Sequence, residues 1–184
     1  MSVYVLKVDD KTTLENIENC KSKSMISGSK LRNSHRFLGK KIAKHIYSED
    51  TQSIALIVMM RAGLFFAEGI ADEYENMGGD VTLLLTCDNK LSEADAKLIK
   101  NRPIIIVDAV INTGKSIFGL IDSLDSNISV KIATTVIPNN SLDLFKLYDL
   151  YTVRTSDNQY KGAKTKVISD GKGPDTGDRL FNTI

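Results

Sequence analysis

The chain has 184 residues, 42% of them hydrophobic and 26% charged, a composition that predicts one globular domain over residues 1–184 and excludes disordered or collagen-like structure. Its 24 Lys and Arg against 23 Asp and Glu give a formal charge of +1, which argues against a nucleic-acid partner. The apolar runs fall short of the ~20 residues of a membrane span, and the first ten residues, ending in Asp9-Asp10, do not read as a secretory leader.

A first edge strand is expected at Val3 to Val8, and the rest of residues 1–30 has weak periodicity. Asp9-Asp10 reads as solvated surface. Leu38, Ile42 and Ile46 recur every four residues on a helix whose Lys40, Lys41 and Lys44 face water. His35 and His45 are placed on that lysine-rich face as solvated side chains. Ser53 to Met60 is a continuous apolar run, followed by a helical stripe at Ala67, Ile70, Ala71 and Tyr74 that stops at Gly78-Gly79. Val81 to Thr86 is the next strand, and Ser92 to Asp95 reads as a capping box opening a short helix that ends near Lys100. Then come a strand at Ile104 to Val107, a stripe at Ile117, Leu120, Ile121 and Leu124, and a strand at Val130 to Val136. A weaker stripe at Leu142, Phe145 and Leu147 and a short strand at Leu150 to Arg154 complete the alternation. Strands without polar alternation are buried on both faces, and their alternation with helices predicts a doubly wound α/β sheet. From Ser156 onward the Gly-, Lys-, Asp- and Thr-rich chain reads as a functional loop. Cys20 and Cys87 lie far apart, without metal-type spacing, and read as reduced thiols of a cytoplasmic protein.

Chemistry concentrates in Arg102 to Ser116, RPIIIVDAVINTGKS. A buried strand delivers Asp108 at its carboxyl end, where open α/β sheets bind ligands. The loop Ala109, Val110, Ile111, Asn112, Thr113, Gly114, Lys115, Ser116 then enters a helix whose unpaired N–H groups suit an anion. Gly114 lets the backbone approach a phosphate, and Thr113 and Ser116 add hydroxyl donors. A carboxylate repels a phosphate, so Asp108 makes sense as an acceptor for sugar hydroxyls while the loop holds the sugar's phosphate. Gly114-Lys115-Ser116 also looks like the end of an NTPase P-loop, but Ala109 stands where that motif needs a glycine.

An apolar strand, Asp108, four residues, then Thr113-Gly114 resembles the signature of type I phosphoribosyltransferases, and the single Asp resembles their uracil phosphoribosyltransferase branch. Met59 to Leu64 (MMRAGL) is similar to that branch's Leu-Arg-Ala-Gly-Leu loop, and Gly173 to Thr183 (GPDTGDRLFNT) to its Gly-Asp-Ala-Gly-Asp-Arg tail. Leu31-Arg32-Asn33 with Phe37 is a weaker match to the family's first helix. The resemblance implies a mainly parallel sheet flanked by helices with a C-terminal hood loop, acting as a homodimer on 5-phosphoribosyl-1-diphosphate and a nucleobase. It implies uracil as the base and a Mg²⁺ ion carried mainly by the diphosphate, with no metal site of the protein's own.

Arg61, after a buried strand, with the backbone of Ala62 and Gly63, suits a diphosphate whose charge grows as it leaves. By resemblance, Ile168, Gly173, Pro174, Asp175 and Thr176 form the base-reading stretch, and Asp175 also approaches the donor. Asp178 and Arg179 are expected to pair with each other or with the scaffold. Several positions depart from the family. Its long arm, which carries an Arg to the donor, is replaced by Thr86-Cys87-Asp88-Asn89-Lys90, and Lys115 or Lys90 is a candidate for the missing charge. Pro174 is inserted into the tail motif. A silent donor-binding protein and a transferase for another base therefore remain open alternatives.

Overall fold

Six strands, β1 (Val3–Val5), β2 (Ser53–Met59), β3 (Asp80–Thr86), β4 (Ile104–Val110), β5 (Val130–Pro138) and β6 (Asp149–Ser156), form one sheet in the order β1-β6-β5-β4-β2-β3. Every pairing is parallel. The computed structural model describes residues 2–88, 90–100, 102–125, 127–157 and 175–183. Helices α1 (Lys11–Cys20), α2 (Gly28–Ile46), α3 (Leu64–Asn76), α4 (Glu93–Leu98), α5 (Lys115–Ile121) and α6 (Thr176–Phe181) flank the sheet.

Strand periodicity divides the core in two. Ile54, Leu56 and Val58 of β2, with Ile105 and Val107 of β4, pack against Leu38 and Ile42 of α2 and Phe66 and Ile70 of α3. Ala55, Ile57 and Met59, with Ile104 and Ile106, pack against Ile117 and Leu120 of α5 and against Phe145. Because both faces of the central strands are covered, β2 and the first part of β4 read as unbroken apolar runs. Helices α2 and α3 cross closely at two glycines: a Cβ on Gly39 would lie 2.2 Å from the Phe66 carbonyl oxygen, and one on Gly69 2.1 Å from that of Arg36.

Several expectations need correction. The edge strand is shorter than Val3 to Val8, and α1 occupies a stretch whose period was not visible. Asp10 is the N-cap of α1, accepting from the Thr13 N–H at 2.6 Å and from Lys41 Nζ at 3.0 Å. Those bonds, from the Thr13 hydroxyl and N–H first, hold its carboxyl well below the usual carboxylate range. Lys40 and Lys44 bridge to Asp72 and Glu73 of α3. The residues around Leu142 form a 3-10 segment, Asn139–Phe145, rather than an α-helix. His35 is fully buried, because its own helix turns it toward the core one turn after Leu31. His45 stays exposed, as expected, and additionally stacks on Tyr4 with ring centroids 4.1 Å apart and shares a 2.6 Å hydrogen bond with its hydroxyl. Among the described residues no helix is long and apolar enough to cross a membrane.

Candidate active site

The strand order fixes where a ligand can sit. From β2 the chain moves outward to β3, then returns to β4 on the other side and continues to β5 and β6. The carboxyl ends of β2 and β4, neighbours in the sheet, therefore flank the switch point where connections diverge and leave a crevice.

Asp108 lies near the end of β4 beside Thr134 of β5. Loss of solvent pushes its carboxyl up to about 7, against the pull of the Val110 and Ala109 N–H groups and with a push from the charge of Asp175. The Val110 N–H reaches Asp108 Oδ1 only at 3.4 Å. Among the described residues that acceptor is poorly satisfied, which leaves it open to donors from a ligand.

Asp108 and residues 110 to 117 line a hollow of about 110 Å³, well above the ~10–15 Å³ needed to hold one water molecule. Ala109 points the other way, into the core, as strand alternation requires; its carbonyl accepts from Thr134 and Thr135. The loop is fixed from behind by the Ile111 N–H on the Val136 carbonyl at 3.0 Å and by the Ser141 hydroxyl on the Asn112 carbonyl at 2.6 Å. Gly114 has φ +71°, and a Cβ there would lie 2.5 Å from Phe145 Cζ. Only glycine meets both the turn and the packing. Lys115 is exposed and lines the hollow; Lys90 does not line it.

At the end of β2, the cis peptide Met60–Arg61 leads into a turn. The Gly63 N–H is bonded to the Met59 carbonyl at 3.0 Å, so the expected free donor at Gly63 is absent. Its actual contribution is a close approach: a Cβ there would lie 2.7 Å from the Val107 carbonyl oxygen, which presses the Arg61 turn against the end of β4. Arg61 is about half exposed and pairs with Asp178 of α6 at 2.8 Å.

Helix α6 brings the tail to the same place. Asp175 is its N-cap, accepting from the Gly177 and Asp178 N–H groups at 2.8 and 3.3 Å, and its charge reaches Asp108. Thr176 opens the helix. Arg179 is wholly buried and donates to the carbonyls of Ile26, Asn19 and Cys20 and to the Ser24 hydroxyl. It thus holds the scaffold, whereas Asp178 holds Arg61. The structure therefore gathers Asp108, the 110–117 loop, Arg61 and Asp175 at one switch point. Ile168, Gly173 and Pro174, with most of the expected hood, lie outside the described residues. Sequence reasoning missed Asp178 and Thr183 as partners of Arg61; they stand 117 and 122 positions away, with no local signal.

Solved phosphoribosyltransferases are similar to this chain in fold. Hypoxanthine-guanine phosphoribosyltransferase from Leishmania tarentolae, in complex with GMP, matches with a TM-score of 0.51 at 16% identity, over 71% of this chain and 79% of that one. An HPRT alanine mutant made to analyse an invariant aspartic acid gives 0.51 at 14% identity, over 68% and 78%. The enzyme from Schistosoma mansoni, in complex with IMP, gives 0.47 at 19% identity, over 67% of this chain and 65% of that one. The fold is that of the type I phosphoribosyltransferases. No curated protein matches the sequence. The uracil phosphoribosyltransferase family profile matches residues 33–183, and the chain belongs to that family.

Proposed function

We propose that the protein transfers the 5-phosphoribosyl group of 5-phosphoribosyl-1-diphosphate to uracil, giving UMP and diphosphate. The observation that carries this reading is the hollow beside Asp108 at the end of β4, against which Gly63 lets the turn that carries Arg61 pack at the Val107 carbonyl. Asp108 accepts from the ribose hydroxyls. The backbone of Asn112 to Ser116 and the hydroxyls of Thr113 and Ser116 hold the 5-phosphate, with Lys115 adding charge. Arg61 and the backbone of Ala62 clasp the diphosphate. The C1–O bond to diphosphate breaks as uracil N1 bonds to C1, and the N1 proton is released to solvent. The sugar has oxocarbenium character between these events, and Arg61 opposes the negative charge that builds on the leaving group. Ile168 and Gly173 to Thr176 read the base, and Asp175 faces the donor.

Among the described residues no group of three or more His, Cys, Asp or Glu could hold a metal. The charge of Asp175 reaches Asp108, and a pair of carboxylates suits a Mg²⁺ ion carried in on the diphosphate's own oxygens. Bound there, the ion would supply charge neutralisation of the leaving group. The same reading takes residues 1–184 as one unit, working as a cytoplasmic homodimer. The pairing of β1 with β6 and the grip of residues 19–26 on Arg179 support a single unit.

The short passage from Thr86 at the end of β3 to Glu93 at the start of α4 favours a second reading, a donor-binding protein without turnover. One experiment separates them: diphosphate release and nucleotide formation measured against a panel of nucleobases, with donor binding followed by calorimetry. UMP formed from uracil supports the first reading. Product from another base alone reassigns the base, and binding without product selects the silent protein. No donor binding refutes both.

A further inference from the structure

Arg61 is held by more than one surface contact. Its Nη2 donates to Asp178 Oδ1 at 2.8 Å and its Nη1 to Thr183 Oγ1 at 3.3 Å, while the Thr183 hydroxyl donates to the same Asp178 oxygen at 2.8 Å. The guanidinium carbon lies 5.8 Å from the centre of the Phe181 ring, which packs on Phe65 at 5.4 Å. The three contacts come from one short segment, and that segment is itself anchored. Arg179, between Asp178 and Leu180, is buried among carbonyls of residues 19 to 26, and Arg32 Nη1 donates to the Leu180 carbonyl at 2.8 Å.

An exposed ion pair adds little to stability. A pair whose acidic member is mounted on a buried anchor does something else, because it selects one orientation of a side chain that otherwise samples many. Asp178 and Thr183 take only part of the guanidinium fork, and the Arg61 side chain keeps 47% of its surface exposed. Among the described residues nothing else takes the remaining N–H groups, which are available to an arriving anion without displacing the carboxylate.

We propose that Asp178 and Thr183 are positioning residues, which hold the Arg61 guanidinium in the orientation that receives the donor's diphosphate. This rests on the transferase reading of the site. The expected cost of removing the hold is the ordering of one long side chain at binding, about a three- to tenfold loss of affinity.

The test uses the full chain, with inorganic diphosphate and magnesium in calorimetry and 5-phosphoribosyl-1-diphosphate in steady-state kinetics. Asp178→Ala should raise the diphosphate Kd and the donor KM by that factor, with kcat and the KM for the accepted base within about twofold. Asp178→Asn, which keeps an oxygen acceptor for Nη2, should recover most of the loss. Thr183→Ala, at an exposed position, should move the donor KM the same way by less, and it decides the matter if Asp178→Ala fails to fold. Unchanged donor KM and diphosphate Kd in the folded variants would overturn the inference while leaving the transferase reading intact. Tighter diphosphate binding would overturn it too, by showing that Asp178 competes with the anion. A wild-type protein that binds neither diphosphate nor donor would sink the site reading and the inference with it.

Discussion

Replacing Asp108 by asparagine should make the protein more stable and less active at once. Burial lifts this carboxyl from 3.8 to about 7, so between those values the folded chain binds a proton that the unfolded chain has released. Stability therefore falls as pH rises through that window, and the full penalty is present above about pH 7. At 1.36 kcal/mol per pH unit the shift corresponds to at most about 4 kcal/mol. Asp108 keeps some contact with solvent, so a penalty of about 1–2 kcal/mol is the working figure. Asparagine keeps an oxygen for the Val110 and Ala109 N–H groups and carries no charge. In thermal melts at pH 8 it should raise Tm by roughly 2–8 °C, on the usual 2–4 °C per kcal/mol for a chain of this size. The gain should shrink toward zero as pH approaches 4. Nucleotide formation by the same variant should drop sharply, because a neutral amide is a weaker acceptor for the ribose hydroxyls. An Asp108→Asn variant no more stable than wild type at pH 8, or one with undiminished turnover, would refute the reasoning.

The opposite pH slope is expected at His35. Burial, assisted by the Arg179 charge, holds its imidazole down at about 3, so only the unfolded chain takes up a proton below about 6.5 and stability is lost as pH falls. At pH 5 that loss is about 2 kcal/mol, and His35→Leu should abolish it in denaturant titrations at pH 5 and 7. Neither ring nitrogen has a hydrogen-bond partner among the described residues, so the leucine variant should be at least as stable as wild type at pH 7. A variant as acid-sensitive as wild type would contradict this account. Gly114→Ala combines a left-handed φ with a Cβ 2.5 Å from Phe145; it should cost about 1–3 kcal/mol by chemical denaturation and weaken donor binding in calorimetry.

The central strands were legible because they are covered on both faces: IALIVM after Ser53, and IIIV, hold no polar residue to disguise the run. Helix α1 was not, because its buried side includes Thr13 and Asn19 beside Ile17 while Leu14 faces solvent, so apolarity and burial fall out of step. His35 was misplaced for a related reason. Beginning the stripe at Leu38 ignores Leu31, and only the pair shows that His35 lies on the inner face. Asp108 and its loop could be found because strand end, acid, hydroxyls and glycine are contiguous in the chain. Arg61 could be found by its place after β2, but not what holds it. The role of Gly63 as a close approach to Val107 depends on two strands meeting, which no local pattern reports.

The buried guanidinium near the end of the chain sets a timetable. Arg179 closes onto Asn19, which precedes it by 160 positions, and β1 has its neighbour 147 positions downstream. At a synthesis rate of roughly 5–20 residues per second, the first helix waits about 8–30 s on the ribosome before its counterpart is made. During that interval the carbonyls of Asn19, Cys20 and Ile26 lack the guanidinium that bridges them, so the amino-terminal layer reaches its final form only once the last residues are made.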